Sequence, residues 1–202
     1  MIRIITATVF SAFAFVTVAI SAPAPNAVVE EAVALLAERL DGRKDELTTD
    51  KQALYALIDD ILLPRFDREY AAALVLGQHW RTASDEQRQR FIEAFYQAIL
   101  HRYAEGILEY EQDRVQVLPF RGDASKQRTM VKTLVKLDDG SKAEVNYALV
   151  NRNGRWLLFD VTIEGVSYVR NFRAELDSEI RTTGLAKVID RLESEAGIAS
   201  DG

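Results

Sequence analysis

The sequence predicts an α+β fold, with helices through the first half and then an antiparallel sheet closed by further helices. Three observations carry that reading. Apolar residues recur at helical spacing as far as Tyr103. Beyond Val115 they alternate in short runs separated by turn residues, at Asp138-Asp139-Gly140-Ser141 and again at Asn153-Gly154. Between Asn153 and Arg173 the period itself changes, from a strand over 156–163 to a helix that starts at Ser167.

Residues 1–24 read as a secretory signal peptide. Met1-Ile2-Arg3 supplies one positive charge, residues 4–20 an apolar run, and Ala22-Pro23-Ala24 a small-x-small cleavage site. That site puts Pro25 just after the cut, so Ala19-Ile20-Ser21 competes with it. A retained membrane anchor is the alternative, although the run is at the short end of the ~17–25 residues that span a bilayer. No cysteine follows the run, which excludes a lipoprotein anchor. Residues 25–202 then form one domain, because no repeat, low-complexity run or linker divides them. The net charge of −6 becomes one unit more negative once Arg3 is removed. That balance argues against general nucleic-acid binding and against adsorption to anionic membranes through bulk charge.

The helices come first. Val29, Val33, Leu36 and Leu40 form one apolar stripe, ended by Gly42. Thr49-x-x-Gln52 reads as a capping box for a second helix with Leu54, Leu57, Ile58 and Ile61 on its face, stopped by Pro64. Phe66, Tyr70, Ala73 and Leu74 lie on a third helix that ends near Gly77. Ser84-x-x-Gln87 caps the longest helix, where Phe91, Phe95, Ile99 and Tyr103 are spaced by fours. Gly106 is where it is expected to bend or end.

Four antiparallel strands are expected next. Val115 and Val117 lie on a first strand that Pro119 confines to an edge. Residues 129–137 and 142–151 form a hairpin, and on its second strand Ala143, Val145, Tyr147 and Leu149 face one way. The strand 156–163 is apolar on both faces, with Leu157, Phe159, Val161 and Ile163 on one and Trp156 and Leu158 on the other. Both faces are therefore expected to be covered. Two closing helices follow, 167–182 and 185–195, the first with Val169, Phe172, Leu176 and Ile180 on its apolar face.

Catalytic chemistry is scarce. The chain has two histidines and no cysteine, which rules out thiol nucleophiles and thiolate metal sites. His101 beside Arg102 reads as solvated, and His79 as a cap or a contact of Trp80. Gly165-Val166-Ser167-Tyr168-Val169 is half of a nucleophile elbow, but Val169 stands where a second glycine is needed, so Ser167 reads as a helix N-cap. Asp59 and Asp60 splay about 100° apart on a helix and share no proton. Asp160 reads as an acceptor for a nearby arginine or backbone amide, and Glu164 as a surface or N-cap neighbour. No catalytic residue, metal site or cofactor is assigned.

Two blocks of sequence resemble a known family. Trp156-x-x-Phe159-Asp160 followed by Glu164-Gly165-Val166-Ser167-x-Val169-x-Asn171-x-Arg173 is similar to the signature of the MlaC family, soluble periplasmic phospholipid carriers also called toluene-tolerance auxiliary proteins. Leu62-Leu63-Pro64, the run Ala73-Leu74-Val75-Leu76-Gly77 and Trp80 resemble its other signature, and the helix from Gln87 to Tyr103 continues the match. The resemblance spans roughly residues 30–195. It implies a twisted sheet wrapped by helices around a deep apolar cavity, and lipid exchange between an outer-membrane lipoprotein–porin complex and an inner-membrane ABC transporter lipid-uptake complex.

The faces expected to line that cavity are Phe66, Tyr70 and Leu74; Phe91, Phe95, Ile99 and Tyr103; Val145, Tyr147 and Leu149; Leu157, Phe159 and Val161; and Val166, Val169 and Phe172. Arg170 and Arg173 are the candidates for partner or headgroup contact, because guanidinium groups suit acidic surfaces and phosphate. An exported enzyme or a small-ligand binder on a cone-shaped α+β scaffold is the rival reading, and a membrane-anchored interaction module a third.

Overall fold

The computed structural model describes residues 24–108 and 112–198. The expected signal peptide, up to residue 23, lies outside the described residues. Among the described residues no helix is long and apolar enough to cross a membrane.

The helical half comprises α1 (Pro25–Leu40), α2 (Lys44–Thr49), α3 (Lys51–Leu62), α4 (Arg68–Leu76), α5 (His79–Thr82) and α6 (Asp85–Leu108). The capping box at Ser84 is formed as expected. Gln87 N–H donates to Ser84 Oγ and Ser84 N–H donates to Gln87 Oε1, each at 3.1 Å. The one expected at Thr49 is not. Thr49 closes α2, its hydroxyl donating back to the Glu46 carbonyl, and Asp50 caps α3 by accepting from Ala53 N–H at 2.9 Å. Gly106 does not end α6, which continues to Leu108.

The sheet has five strands, where four were expected: β1 (Val115–Val117), β2 (Arg128–Lys136), β3 (Lys142–Arg152), β4 (Arg155–Ile163) and β5 (Val166–Ser167), antiparallel and in sequence order. The added strand exists because Glu164 and Gly165 both take positive φ, 48° and 81°. Two such residues make a tight hairpin turn, so the chain doubles back on β4 before α7 (Tyr168–Thr183) and α8 (Leu185–Glu195) begin.

The register also corrects the faces of β4. Ala148 opposes Asp160 whereas Leu149 opposes Leu158, so Phe159 is an extra residue in a β-bulge. The bulge reverses the alternation partway along the strand. Val161 and Ile163 therefore share a face with Leu158 and Trp156, not with Leu157. That face, with Val131, Tyr147 and Leu149, is the inner one. Both sides of β4 are covered, as its composition predicted: Trp156 and Leu158 pack with Val28 and Val29 of α1, while Phe159 meets Tyr70 of α4 edge-on at 5.0 Å.

Three apolar clusters make the core. One joins α4, α6, α7 and α8 around Phe91, Phe95, Phe172, Leu176 and Ile189. A second joins α1, α2, α3 and α6 around Leu47, Leu54 and Ile58. The third is the sheet against α1. The junction between β4 and α7 is made by one carboxylate. Asp160 accepts from Ser167 Oγ at 2.6 Å and from Val169 N–H at 3.0 Å, while Ser167 Oγ accepts from Arg170 N–H at 3.1 Å. Ser167 is thus the N-cap its sequence context suggested, and Asp160 takes the backbone amide expected of it.

Two stability predictions follow from this packing. Trp156 is 3 % exposed, so Trp156→Ala is expected to cost about 3–5 kcal/mol in urea unfolding; an unchanged midpoint would place the indole outside the core. Asp160→Ala is expected to cost about 1–3 kcal/mol and Ser167→Ala about 1 kcal/mol. Because the two side chains bond each other, the double variant should lose less than the sum of the singles. Additive losses would mean that they act separately.

Candidate functional site

The inner face of the sheet is closed at one end and open at the other. Leu149 is 0 % exposed, and Val131, Trp156 and Leu158 beside it are likewise buried under α1. Along the same rows Val145, Tyr147 and Val161 are only half-buried, and Ile163 and Val166, paired across the last hairpin, reach 36 % and 58 % exposure. Val145, Tyr147, Val161 and Val166 from the expected lining are therefore brought together on this face. Leu149 lies in its sealed end. Polar groups here are few. Thr133 donates its hydroxyl to the Val145 carbonyl at 2.7 Å. Burial pushes the Tyr147 phenol above its ordinary pKa, partly offset by a hydrogen bond with Thr133. Where β5 passes into α7, Tyr168 packs edge-on against Tyr103 of α6 at 5.5 Å, and Tyr103 is 41 % exposed. Burial raises the Tyr168 phenol as well.

The other expected lining residues lie elsewhere. Phe91, Phe95 and Phe172 are buried in the four-helix cluster, with Ile99 and Val169 packed against it. Phe91 stacks on Phe95 at 5.3 Å, and Phe95 meets Phe172 edge-on at 5.3 Å. The space between Phe95, Ile99 and Phe172 is about 10 Å³, room for about one water and not for an acyl chain. These residues serve as helix packing. Phe66, Tyr70 and Leu157 line a separate groove of about 640 Å³ together with Ala73, Trp80 and Ile92. Its rim is charged and internally paired, Arg152 with Asp67 and Arg68 with Glu93, each at 2.7 Å. Phe159 approaches it through Tyr70, and Leu74 is half-buried on α4.

Arg170 and Arg173 are exposed on α7 and share a depression of about 330 Å³ with Leu76, Gln78, Ala174, Asp177 and Arg181. Arg173 lies over Gly77, where a β-carbon would sit 2.8 Å from its Nε and Nη2. Gly77 is required for its φ of +55°, which side chains rarely adopt; the Arg173 guanidinium is the end of an exposed side chain that can move aside. Arg181 pairs with Asp177 at 2.8 Å. Asp177 in turn bonds His79 at 2.8 Å, which holds its carboxyl below the usual range with help from Gln78.

His79 therefore ties α5 to α7 by a carboxylate contact and does not cap carbonyls. His101 is stacked on Tyr55 with ring centroids 4.0 Å apart, so it is a packed side chain where a solvated one was expected. Asp59 accepts from Tyr96 and Asp60 from Arg39, in separate directions as their helical spacing requires. Glu164 accepts from the Glu144 amide and so braces the last hairpin. Among the described residues no group of three or more His, Asp or Glu side chains is placed to hold a metal ion. Sequence reasoning passed over Thr133 and Tyr168. Thr133 was legible from the alternation of β2, and Tyr168 from its place beside the N-cap.

Comparison with known proteins adds independent information. The family model described as MlaC protein matches residues 30–194. The toluene tolerance protein ttg2D of Pseudomonas putida is 29 % identical over 180 residues, covering 88 % of this chain and 83 % of that one. The intermembrane phospholipid transport system binding protein MlaC of Haemophilus influenzae is 22 % identical over 191 residues, 93 % of this chain and 89 % of that one. Among solved structures, a phospholipid-binding protein from Ralstonia solanacearum in complex with a phospholipid superposes with a TM-score of 0.76 at 21 % identity, covering 86 % of this chain and 97 % of that one.

Proposed function

The chain belongs to the MlaC family, and on that premise we propose that it is a periplasmic phospholipid carrier and not an enzyme. The observation that carries this reading is the graded inner face of the sheet, sealed beneath α1 at Leu149 and Trp156 and open at Ile163 and Val166. An apolar row left half-buried next to a sealed end suits a chain-like apolar ligand that enters from the open side.

The energetics suit a shuttle. Each buried methylene is worth ~0.8 kcal/mol, so two tails of about 15 methylenes gain on the order of 24 kcal/mol relative to water. Relative to a bilayer the transfer is from one apolar medium to another, and the difference is small. Such a protein shields acyl chains through the aqueous space and gives them up without a covalent step. In this reading the headgroup stays at the open end. The lipid is exchanged between an outer-membrane lipoprotein–porin complex and an inner-membrane ABC transporter lipid-uptake complex. Arg170 and Arg173 are the docking candidates, since they are exposed and neither is in an ion pair among the described residues.

Solvent extraction of purified protein should yield stoichiometric diacyl phospholipid; a polar metabolite in its place would favour a small-ligand binder. Val145→Trp separates a lined channel from ordinary core, because overpacking a filled core costs about 1–3 kcal/mol whereas filling a channel costs the lipid-free protein little. The expected outcome is less co-purified lipid by mass spectrometry and an unchanged melting temperature for delipidated protein. Full occupancy with a lowered melting temperature would refute the channel. Reversing both charges, Arg170→Glu with Arg173→Glu, should slow lipid transfer to the partner complexes; unaltered transfer would remove these residues from the interface.

A further inference from the structure

The outer face of β2 is charged in one sense. Arg128, Lys132 and Lys136 project from every second outward position, with Met130 and Leu134 between them, and Lys142 of β3 stands directly opposite Lys136. Arg121, in the segment that follows β1, adds a fifth cation. Among the described residues Arg121, Lys132, Lys136 and Lys142 form no ion pair, whereas Arg39, Arg68, Arg90, Arg102, Arg152 and Arg191 all do. Two strand carboxylates share this face and both are engaged: the Asn146 amide donates to Glu144 at 2.5 Å, and Asp160 accepts from Ser167 and Val169. A chain with a net charge of −6 has gathered unneutralised cations here. Placing Lys136 opposite Lys142 is unfavourable for the sheet itself.

Apolar surface lies among these charges. Met130, between Arg128 and Lys132, is 44 % exposed. It opens onto a pocket of about 560 Å³ walled by Leu118, Pro119, Phe120, Arg121 and Lys132. Gly122 lets the wall close in, since a β-carbon there would sit 2.7 Å from the Phe120 ring and from Thr129 Oγ1. A row of cations about 27 Å long on an extended strand, with an apolar side chain and an apolar pocket between them, matches a flat anionic surface with acyl chains beneath.

We propose that this face of β2 docks the protein on anionic membrane surfaces, with the cations on lipid phosphates and Met130 in the interface. The face is separate from the inner side of the sheet, and its action does not depend on what the protein carries. An acidic protein surface would engage the cations but would leave the apolar pocket unused.

The test is cosedimentation of the purified protein with phosphatidylcholine vesicles, with and without phosphatidylglycerol. Binding is expected only with phosphatidylglycerol, and should fall as salt is raised. Each basic residue near such a surface is worth roughly fivefold in affinity, so Lys132→Glu with Lys136→Glu should weaken binding roughly twenty-five-fold or more. Lys132→Gln with Lys136→Gln should give a smaller loss in the same direction, and Met130→Ser should weaken binding without altering its salt dependence. Absence of binding, or binding unmoved by the lysine variants, would overturn the proposal and leave the lysines as guards of a strand near the sheet edge. Retention on immobilised polyglutamate without vesicle binding would also overturn it, in favour of an acidic protein partner.

Discussion

The carboxylate of Asp160 is the contact on which the rest of the arrangement depends. It sits in β4, takes the Ser167 hydroxyl and the Val169 amide, and so fixes where α7 leaves the sheet. Ser167 in turn caps α7 through the Arg170 amide. A charge-assisted pair of this kind is short and directional, which apolar packing alone is not. Once α7 is aimed, Phe172, Leu176 and Ile180 fall onto α6 and α8, and Arg173 comes down on Gly77. The same contact therefore organises the four-helix cluster and places the exposed arginines of α7.

The bulge at Phe159 sets the other constraint. Were these residues paired without the bulge, Val161 and Ile163 would lie on the opposite face from Trp156 and Leu158. With it, one continuous apolar row runs from the end sealed by α1 to the open hairpin. The turn at Glu164-Gly165 then ends the row with exposed Ile163 and Val166. Bulge and turn together make the inner face into a surface that is packed at one end and accessible at the other.

Much of this was legible in the sequence, and the exceptions have physical causes. The helix starts at Ser84 and Ser167, the edge position of β1 and the hairpins at Gly140 and Gly154 follow from local side-chain chemistry and glycine's freedom. The faces of β4 do not, because a bulge breaks the period-two rule and only the partner strand reveals it. Nor does β5, since glutamate at φ 48° is uncommon and the Glu164 side chain holds that turn by bonding the distant Glu144 amide. The stripe of Phe91 and Phe95 announced a buried face but not its neighbour. Helical spacing alone cannot say whether α7 and α8 or the sheet will cover it.

The charges divide along the same lines as the apolar surface. Across the helices most guanidiniums are committed: Arg90 to Glu193 and Asp190, Arg191 to Glu179 and Glu195, Arg102 to Glu195. Apart from the Arg191–Glu195 pair within α8, these ties cross from α6 or α7 to α8, and Glu193 is buried at one of them. A buried carboxylate left without its arginine is costly, so this network opposes any loosening of the helical cluster. On the sheet, Lys132, Lys136 and Lys142 stay unpaired on the outer face, and the apolar row on the inside is half-open. Ion pairing is thus concentrated among the helices, and unsatisfied surface in the sheet. A protein whose task is to hold a ligand reversibly needs that division, because a site that closed fully on itself would have no apolar surface left to offer.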